Sequence, residues 1–432
     1  EALSKGGETI QEVMAEMLVT EGVMIRREHD LRDAEFTFDT DSPERVERNR
    51  QHMDALAPVL AAMAYLSGDM DRVVNQRNKD LWRRHRQGEI SRQQFKRMRI
   101  GRMAFGSPLY LLSRLFVLGL KIDGTVERAV SALDRGEKPV VMLENTCQTL
   151  LAEFADDARG EDGREPEFKD VVHRVLDRMA YGSRNGQTID MRRDNPEFAE
   201  AIRDIKAMVD ELPNMPMSPV DEIQRRIGEA GYSVEEITGR SLQWNGQQVV
   251  RRQQDSRARI NSRFNNGQTD ALLINVAGMT GISLHAGARF KDQRKRVGIL
   301  TQPPADIAKE KQGHGRIGRF DQVVPPRLES FSTGLPAEDR FNAMRNKALK
   351  ALSANVTSNR ENAALFNEVP DMMNAVGDTV VTAYCDMNPD IVRRLGLKEE
   401  DVDRQETDYE SLAEHERDQK RSANQFLARL MM

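Results

Sequence analysis

Two arginines three positions apart, Arg316 and Arg319, could stabilise a phosphoryl group during its transfer. They follow Gln312 in the stretch QGHGRIGR at residues 312–319, which has the spacing Q-x-x-G-R-x-x-R. A phosphoryl group in transfer spreads negative charge over its equatorial oxygens, and a guanidinium binds two such oxygens at once without losing its own charge. Lysine, a point charge, does not supply this geometry. The stretch therefore predicts a contact with the γ-phosphate of a nucleotide.

The same stretch contains Gly313, Gly315 and Gly318, which fit the dinucleotide-binding pattern G-x-G-x-x-G. That pattern requires a strand before the glycines and a helix that begins at them. Residues 308–311 instead look helical, and the double proline at residues 325–326 forbids a helix after the glycines. We therefore favour the phosphoryl-transfer interpretation over a dinucleotide site, and over a glycine-rich surface loop with unrelated arginines.

A second group of small residues follows a predicted buried strand at residues 270–276: Gly278, Thr280, Gly281 and Ser283. Glycine lets backbone amides approach a phosphate closely, and the two hydroxyls add hydrogen-bond donors. Parallel sheets bind ligands beyond the carboxyl ends of their strands, which is where this group is expected. An ordinary strand-to-helix turn is the alternative, and the arginines downstream favour the site.

Helices that alternate with short apolar runs predict an α/β protein with a parallel sheet. Short continuous apolar runs are typical of strands that are buried on both faces of a sheet. Strands are predicted at residues 139–145, 235–241, 270–276 and 297–301, and helices at 43–66, 109–120, 126–133 and 337–353.

The order of these elements predicts three regions. Residues 1–118 form a mainly helical N-terminal extension with a small hairpin at 23–38. Residues 119–330 form the α/β lobe, interrupted by a helical insertion at about 151–235. Residues 331–432 form a helical C-terminal extension.

Composition narrows the function classes. The 64 Lys and Arg nearly cancel the 69 Asp and Glu, so any nucleic-acid site must be a local patch. Aromatic residues make up only 5% of the chain, which disfavours base-stacking platforms. Cys147 and Cys385 form no C-x-x-C motif, which favours a reducing, cytoplasmic compartment and disfavours a structural zinc. The most apolar stretch, 109–120, is too short to span a membrane.

The tetrapeptide Asp221-Glu222-Ile223-Gln224 matches the D-E-x-x box that binds magnesium. Such a box ends an apolar strand, whereas here Pro219 precedes it and favours the start of a helix. Carboxylates are favoured in the first turn of a helix by its dipole. We therefore predict a helix start and no metal site in this sequence.

Basic side chains are the candidates for contacts with a phosphate backbone. A run at residues 83–102 has eight Lys and Arg against Glu89, and a solvated helix face is the usual explanation for such a run. A phosphate-binding surface is the alternative. Further candidates lie beside a predicted strand, in a predicted arginine-rich helix at 251–263 and in the stretch 289–296: Arg240, Arg251, Arg252, Arg294, Lys295 and Arg296.

Taken together, the motifs resemble the C-terminal helicase lobe of the strawberry notch family, a branch of superfamily 2 helicases and translocases. The stretch at 312–319 matches motif VI of that superfamily, and 277–286 is similar to its motif V. The other matching segments are ITGR at 237–240, FNNG at 264–267, GLPAEDRF at 334–341, LSANVT at 352–357 and QFLARL at 425–430.

This resemblance implies a RecA-like second lobe that acts on ATP held by an N-terminal lobe. Arginine-finger roles are implied for Arg316 and Arg319, and a nucleotide-side contact for Gln312. Coupling of ATP to nucleic acid is implied for four residues of the motif V-like segment: Gly278, Thr280, Gly281 and Ser283.

The resemblance also implies partners. ATP and Mg²⁺ would be bound mainly by the N-terminal lobe of the same parent protein, and the strand would be DNA, with RNA as the alternative. Because relatives in bacteria and phages often lie in very large proteins, sometimes beside a methyltransferase domain, we expect the chain to be part of such a protein.

The sequence contains no Gly-Lys dipeptide and hence no P-loop of the form G-x-x-x-x-G-K-[ST]. We therefore expect that the chain alone binds ATP poorly and hydrolyses none. The rival hypothesis is a non-catalytic scaffold, derived from a helicase lobe, that binds nucleic acid or protein in a larger assembly such as a virion.

Overall fold

A parallel sheet organises the part of the chain that the computed structural model describes, which is residues 17–18, 20–21, 33–101, 106–155, 164–193, 195–253, 255–275, 278–279, 281–319, 321–357 and 375–394. The strands of this sheet and of two smaller sheets are numbered together, in chain order. They are β1 (Glu35–Thr40), β2 (Ile100–Gly101), β3 (Lys138–Met142), β4 (Tyr181–Arg184), β5 (Gln187–Asp190), β6 (Val234–Ile237), β7 (Leu242–Trp244), β8 (Val249–Arg251), β9 (Ala271–Ile274), β10 (Arg296–Leu300) and β11 (Arg327–Ser332).

Six of these strands form the main sheet, in the order β1-β11-β10-β3-β9-β6, and every pair is parallel. The three central strands, β3, β9 and β10, consist entirely of buried residues. Their side chains alternate between the two faces: Val140 and Met142 pack on one side, and Val141 packs on the other. The predicted α/β class and parallel sheet are confirmed.

The described helices are α1 (Pro43–Arg86), α2 (Arg92–Met98), α3 (Gly106–Leu120), α4 (Ile122–Asp134), α5 (Gln148–Ala155), α6 (Phe168–Met179), α7 (Pro196–Asp210), α8 (Pro219–Glu229), α9 (Arg257–Asn265), α10 (Ile307–Ile317), α11 (Pro336–Thr357), α12 (Ala375–Met387) and α13 (Pro389–Arg394). Helix α1 begins as its sequence predicts, with Ser42 as N-cap accepting a hydrogen bond from the amide of Arg45 and Pro43 in the first turn. None of the described helices is long and apolar enough to cross a membrane.

Helices cover both faces of the main sheet. Buried residues of α4 and α8 pack on one face, where Ile122 and Ile223 join the core that contains Val141. Residues of α9 and α10 pack on the other face, where Phe264 and Ile317 join the core that contains Met142. Helices on both faces of a parallel sheet form a three-layered α/β architecture, which is consistent with the expected RecA-like lobe.

A second core lies among helices α1, α3, α5, α6 and α7, outside the main sheet. The predicted helical insertion at about 151–235 supplies α6 and α7 to this core. The same insertion also contains the hairpin β4-β5, which pairs with β2 in a three-stranded sheet. The insertion is therefore helical with one hairpin, and its core is shared with the long helix α1.

Strand β1 differs from the sequence prediction. Residues 34–38 were expected to pair with residues 23–28 in a hairpin, but 23–28 lie outside the described residues. Instead, β1 pairs in parallel with β11 along its whole length, from Glu35 opposite Arg327 to Thr40 opposite Ser332. A segment assigned to the N-terminal extension thus forms one edge of the main sheet.

Candidate functional site

Helix α10 carries most of the motif with the two arginines. Asp306 caps its first turn by accepting a hydrogen bond from the amide of Ala308 (3.0 Å), and Gln312 and Arg316 lie inside the helix. Gly318 is the C-cap residue, so Arg319 lies immediately beyond the helix. Because a helix precedes the glycines, where a dinucleotide site requires a strand, the structure excludes the dinucleotide interpretation.

Close packing fixes α10 against the sheet and the segment that follows β9. A Cβ atom on Gly313 would lie 3.0 Å from Sδ of Met279. A Cβ on Gly298 in β10 would lie 2.7 Å from Cδ1 of Ile317. Glycine at both positions therefore lets the helix approach closely, which sets where its arginines lie.

Residues 278–284, called here the glycine segment, begin beyond the carboxyl end of β9. A Cβ on Gly278 would lie only 1.9 Å from the carbonyl oxygen of Ile237, the last residue of β6. The amide of Gly278 donates to Oδ1 of Asn275 (3.0 Å), which closes the turn. Gly281 has a φ of +77°, a conformation that favours glycine. Thr280 lies outside the described residues.

A side chain from α9 holds the end of the glycine segment. Nδ2 of Asn265, which is almost fully buried, donates to the carbonyl oxygen of Ser283 (2.7 Å). In the sequence, residues 265–267 stood out only as part of the FNNG segment that resembles the family. The buried amide therefore adds a positioning residue that no spacing rule indicated.

Two hydrogen bonds join the glycine segment directly to the arginine motif. The amide of Leu284 donates to the carbonyl oxygen of Arg316 (2.8 Å). Nη2 of Arg319 donates to the carbonyl oxygen of Ile282 (3.3 Å), and its Nε donates to that of Gly315 (3.2 Å). The two motifs that the sequence placed about thirty residues apart are thus one connected structure.

The arginine pair carries uncompensated positive charge. Within the described residues, neither Arg316 nor Arg319 has a carboxylate at ion-pair distance, and the buried Nε of Arg316 has no hydrogen-bond partner. Burial and the nearby charge of Arg319 both lower the pKa of Arg316. Gln312 is half-buried on the same helix. An anion would satisfy this site, because it would pair with the partly buried positive charge and accept hydrogen bonds.

A buried ion pair ties α10 to α11. Glu310, two residues before Gln312, accepts from Nε and Nη2 of Arg345 at 2.7 and 2.6 Å. Burial by itself raises the pKa of the Glu310 carboxyl, but the charge of Arg345 and its hydrogen bonds lower it overall. This pair fixes the helix that carries the arginines to the C-terminal helical region.

A buried histidine lies beside Asp321, two residues after Arg319. His285 is fully buried, and its Nε2 lies 2.7 Å from Oδ1 of Asp321, without the alignment of a hydrogen bond. Burial lowers the pKa of His285, and the charge of Asp321 opposes this only in part. The imidazole also meets the ring of Phe290 edge to face, with 5.6 Å between the centroids. His285 therefore supports the loop after the arginine motif.

Two arginines that were predicted to contact nucleic acid instead pair with carboxylates beside β6. Arg240 is fully buried and lies 2.6 Å from both Asp221 and Glu236. Arg252 is partly buried and pairs with Glu236 as well. Burial raises the pKa of Glu236, but these arginines lower it overall. A phosphate cannot reach Arg240 in this structure, so we withdraw that residue as a contact.

Three further candidates lie just before β10 or within it, and each of them pairs with a carboxylate. Arg296 is fully buried and donates to Oδ1 of Asp292 (3.1 Å) and to the carbonyl oxygen of Leu284 (2.9 Å). Arg294 pairs with Asp292 (2.8 Å), and Lys295 pairs with Glu35 (2.7 Å) on β1. Arg296 stabilises the fold and is withdrawn as a contact, whereas Arg294 and Lys295 remain partly exposed.

The predicted helix at 251–263 begins later than expected. Arg251 ends β8 and is exposed, Arg252 follows it, and α9 starts only at Arg257. The hairpin β7-β8 was missed, although its turn contains Asn245-Gly246, a strong hairpin signal, with Gly246 at a φ of +93°. The arginines of this region therefore do not share one helix face.

The acidic tetrapeptide lies at the start of a helix. Asp221 and Glu222 lie in the first turn of α8, as predicted, and Asp221 accepts from the amide of Trp244 (2.9 Å). A cleft of about 690 Å³ beside β6 is lined by several carboxylates, including Glu235 and Asp255, and so disfavours phosphate. The described residues contain no group of three His, Cys, Asp or Glu that could hold a metal ion.

Comparison with known families identifies the region that contains the two connected motifs. Residues 218–432, which include the glycine segment and the arginine motif, match the family described as the C-terminal domain on strawberry notch homologues. This half of the chain belongs to the strawberry notch family. The predicted family is thereby confirmed, and the region that carries both motifs is a helicase-like lobe.

The matches to individual relatives cover only part of this chain and a small part of each relative. Strawberry notch homolog 1 of Gallus gallus is 28% identical over 177 residues, which are 38% of this chain and 14% of that protein. The Homo sapiens homolog 1 is 35% identical over 92 residues, 21% of this chain and 7% of that protein. FORGETTER 1 of Arabidopsis thaliana is 29% identical over 153 residues, 33% of this chain and 12% of that protein.

Proposed function

We propose that this chain is the second lobe of an ATP-dependent nucleic-acid translocase or helicase, most simply one that acts on DNA. Arg316 and Arg319 bind the γ-phosphoryl group of an ATP held by another lobe, and Gln312 contacts the nucleotide. ATP and Mg²⁺ are held mainly by that other lobe, since this sequence has no P-loop. RNA is the alternative strand.

The uncompensated charge of the arginine pair is the observation that supports this function. Most other arginines around the sheet, such as Arg240, Arg263 and Arg327, are paired with carboxylates. Arg316 and Arg319 are not paired within the described residues, and Arg316 keeps a buried Nε without a partner. An unsatisfied buried donor destabilises a protein, so a site with two of these charges is best explained by an anionic ligand.

The hydrogen bonds between the two motifs support a coupling role for the glycine segment. A movement of Arg316 or Arg319 toward a γ-phosphate is transmitted to Leu284 and Ile282 through their backbone contacts. Gly278, Gly281, Ser283 and Thr280 belong to the same segment. Opening and closing of two lobes around ATP would then shift a strand that lies across both of them.

The test is DNA-stimulated ATP hydrolysis by a protein that contains this chain together with its P-loop lobe. We expect Arg319→Ala to lower turnover by roughly a thousandfold, as loss of an arginine finger does in other ATPases and GTPases. Arg319→Lys should restore little, because an ammonium cannot make the bidentate contact. DNA binding without nucleotide should be unchanged in both variants.

Arg203→Ala is the matched control, because Arg203 is exposed on α7 and has no ion pair within the described part of the chain. Its turnover should equal that of the unchanged protein. Equal hydrolysis by the Arg319→Ala variant would refute the arginine-finger role. A parent protein that binds DNA but hydrolyses no ATP would establish the rival function, a binding scaffold.

A further inference from the structure

A strongly basic surface covers the C-terminal part of α1 and the short helix α2. Residues 72–99 contain ten Lys and Arg against two acidic residues, a formal charge of +8 in a chain of net charge −5. Arg72, Arg83 and Arg84 have carboxylate partners. The others have no ion pair within the described residues: Arg77, Lys79, Arg86, Arg92, Lys96, Arg97 and Arg99.

Four of the basic residues lie along one side of α1. Positions 72, 79, 83 and 86 are separated by seven, four and three residues, which places them on one face of a helix. With a rise of about 1.5 Å per residue, this stripe is roughly 21 Å long. One strand of a duplex presents a phosphate about every 3.4 Å along its axis, so the stripe spans several phosphates.

An exposed aromatic ring lies beside the stripe. Trp82 is 49% exposed, and the guanidinium of Arg86 lies over its ring, with Cζ 5.1 Å from the centroid. Tryptophan is highly buried on average, and aromatic rings between cations serve as stacking platforms for unpaired bases. The combination of cations and an accessible ring thus fits a nucleic-acid strand.

Specific contacts fix the turn between α1 and α2, the two helices that carry these side chains. Asn78 makes two hydrogen bonds to the backbone of Ile100, at 2.8 and 3.1 Å. His85 stacks on Phe95 of α2, and its Nδ1 lies 3.0 Å from the carbonyl oxygen of Ile90. Because the turn between the helices is fixed, little backbone entropy is lost when the cations bind a ligand.

A membrane surface fits less well. A helix that lies on a lipid surface needs a free apolar face opposite its charges. Val74 and Leu81 of this part of α1 are buried against the rest of the protein, whereas Val73 and Trp82 are each 49% exposed. The charged side is therefore available, but two exposed apolar residues do not make the continuous apolar face that a lipid surface requires.

We propose that the basic stripe of α1, with Trp82 and the neighbouring cations of α2, is a binding surface for the phosphate backbone of a nucleic-acid strand. This surface is distinct from the arginine pair at the end of α10. It binds the strand without ATP, so it stands or falls separately from the ATPase role proposed above.

The experiment is fluorescence anisotropy with the whole 432-residue chain and labelled 20-nucleotide DNA, single-stranded and duplex, over a series of salt concentrations. The variant is Lys79→Gln/Arg86→Gln. Loss of two phosphate contacts should lower the slope of log affinity against log salt by about 1.4 to 1.8 and weaken binding about tenfold or more at 0.1 M salt. Trp82→Ala should weaken single-stranded binding about tenfold and duplex binding much less.

The matched control is Arg50→Gln/Arg203→Gln, which removes the same charge from exposed positions outside the stripe. It should keep the slope and affinity, and all variants should keep the circular dichroism spectrum. Equal losses in the control would mean that only net charge matters and would overturn the proposal. Binding to vesicles with anionic lipid but not to DNA would also overturn it, whereas tighter binding of labelled RNA would identify RNA as the strand.

Discussion

Only glycine fits at position 278, because two backbone segments approach each other closely there. The position would bring a Cβ to 1.9 Å from the carbonyl oxygen of Ile237, closer than real atoms approach. The obstacle is backbone at the end of β6, so no side-chain rotation can relieve it. The glycine is therefore needed to keep the glycine segment against the sheet.

We predict that Gly278→Ala destabilises the chain by about 1–3 kcal/mol or more, since overpacking forces the backbone to shift. Urea unfolding of the variant measures this loss. Gly68→Ala is the matched control, because Gly68 lies in α1 with no atom within 4 Å of a Cβ built there. That change should stabilise the chain by about 0.5–1 kcal/mol through helix propensity. Equal stability of Gly278→Ala and the unchanged chain would contradict the packing argument.

Arginine has opposite roles in different places of this molecule. Arg240 and Arg296 are fully buried and bound to carboxylates or carbonyl oxygens, so they stabilise the fold. Arg316 is partly buried with no carboxylate partner among the described residues. The residue type was the same at each position, and only its surroundings separate a structural arginine from a candidate ligand-binding one.

Among the elements, α10 depends on a buried ion pair as well as on its packing against the sheet. Glu310 and Arg345 have side chains that are 0% and 5% exposed, and they join α10 to α11. A buried charge that loses its partner is strongly destabilising, while an apolar pair of similar size can replace both charges.

We predict that Arg345→Met and Glu310→Leu each cost about 3–5 kcal/mol, and that the double variant costs less than the sum of the two single losses. Urea unfolding of the four proteins gives the coupling free energy, which should be about 0.5–3 kcal/mol in size. Arg345 has further contacts, and the cycle separates them from its contact with Glu310. Strictly additive losses would show that the pair does not hold the two helices together.

Across the whole molecule, the N-terminal part and the α/β lobe are not separate units. Strand β1 adds to the edge of the main sheet, and its neighbour β11 has mostly buried residues. Without β1, the backbone donors and acceptors of β11 would be exposed along a half-apolar edge, which favours aggregation.

We predict that a chain beginning at residue 41 unfolds at a lower temperature and forms larger species in size-exclusion chromatography. A chain beginning at residue 33 is the control, because it keeps β1 and the ladder to β11. Both shortened chains keep Asp41, whose buried carboxylate pairs with Arg45 (2.8 Å). If the two behave alike, β1 contributes little and the edge of the sheet is protected in another way.

Much of the central sheet could be predicted because its strands are buried on both faces. The apolar runs that became β3, β9 and β10 need no partner to be recognised, since their composition alone indicates burial. Strand β11 was missed because Glu329 and Ser330 interrupt its apolar pattern. Its strand character depends on pairing with β10 and β1, which are about thirty and about three hundred residues away along the chain.

The family, the α/β class and the spacing of the arginine motif can be predicted without coordinates, because they depend on residue types at short distances along the chain. Tertiary structure decided which charges are available. Asp221 and Glu236 neutralise Arg240, and Asp292 neutralises Arg296, through contacts that no local pattern encodes. It also joined the glycine segment to Arg316 and Arg319, because packing brings distant backbone groups within hydrogen-bond distance.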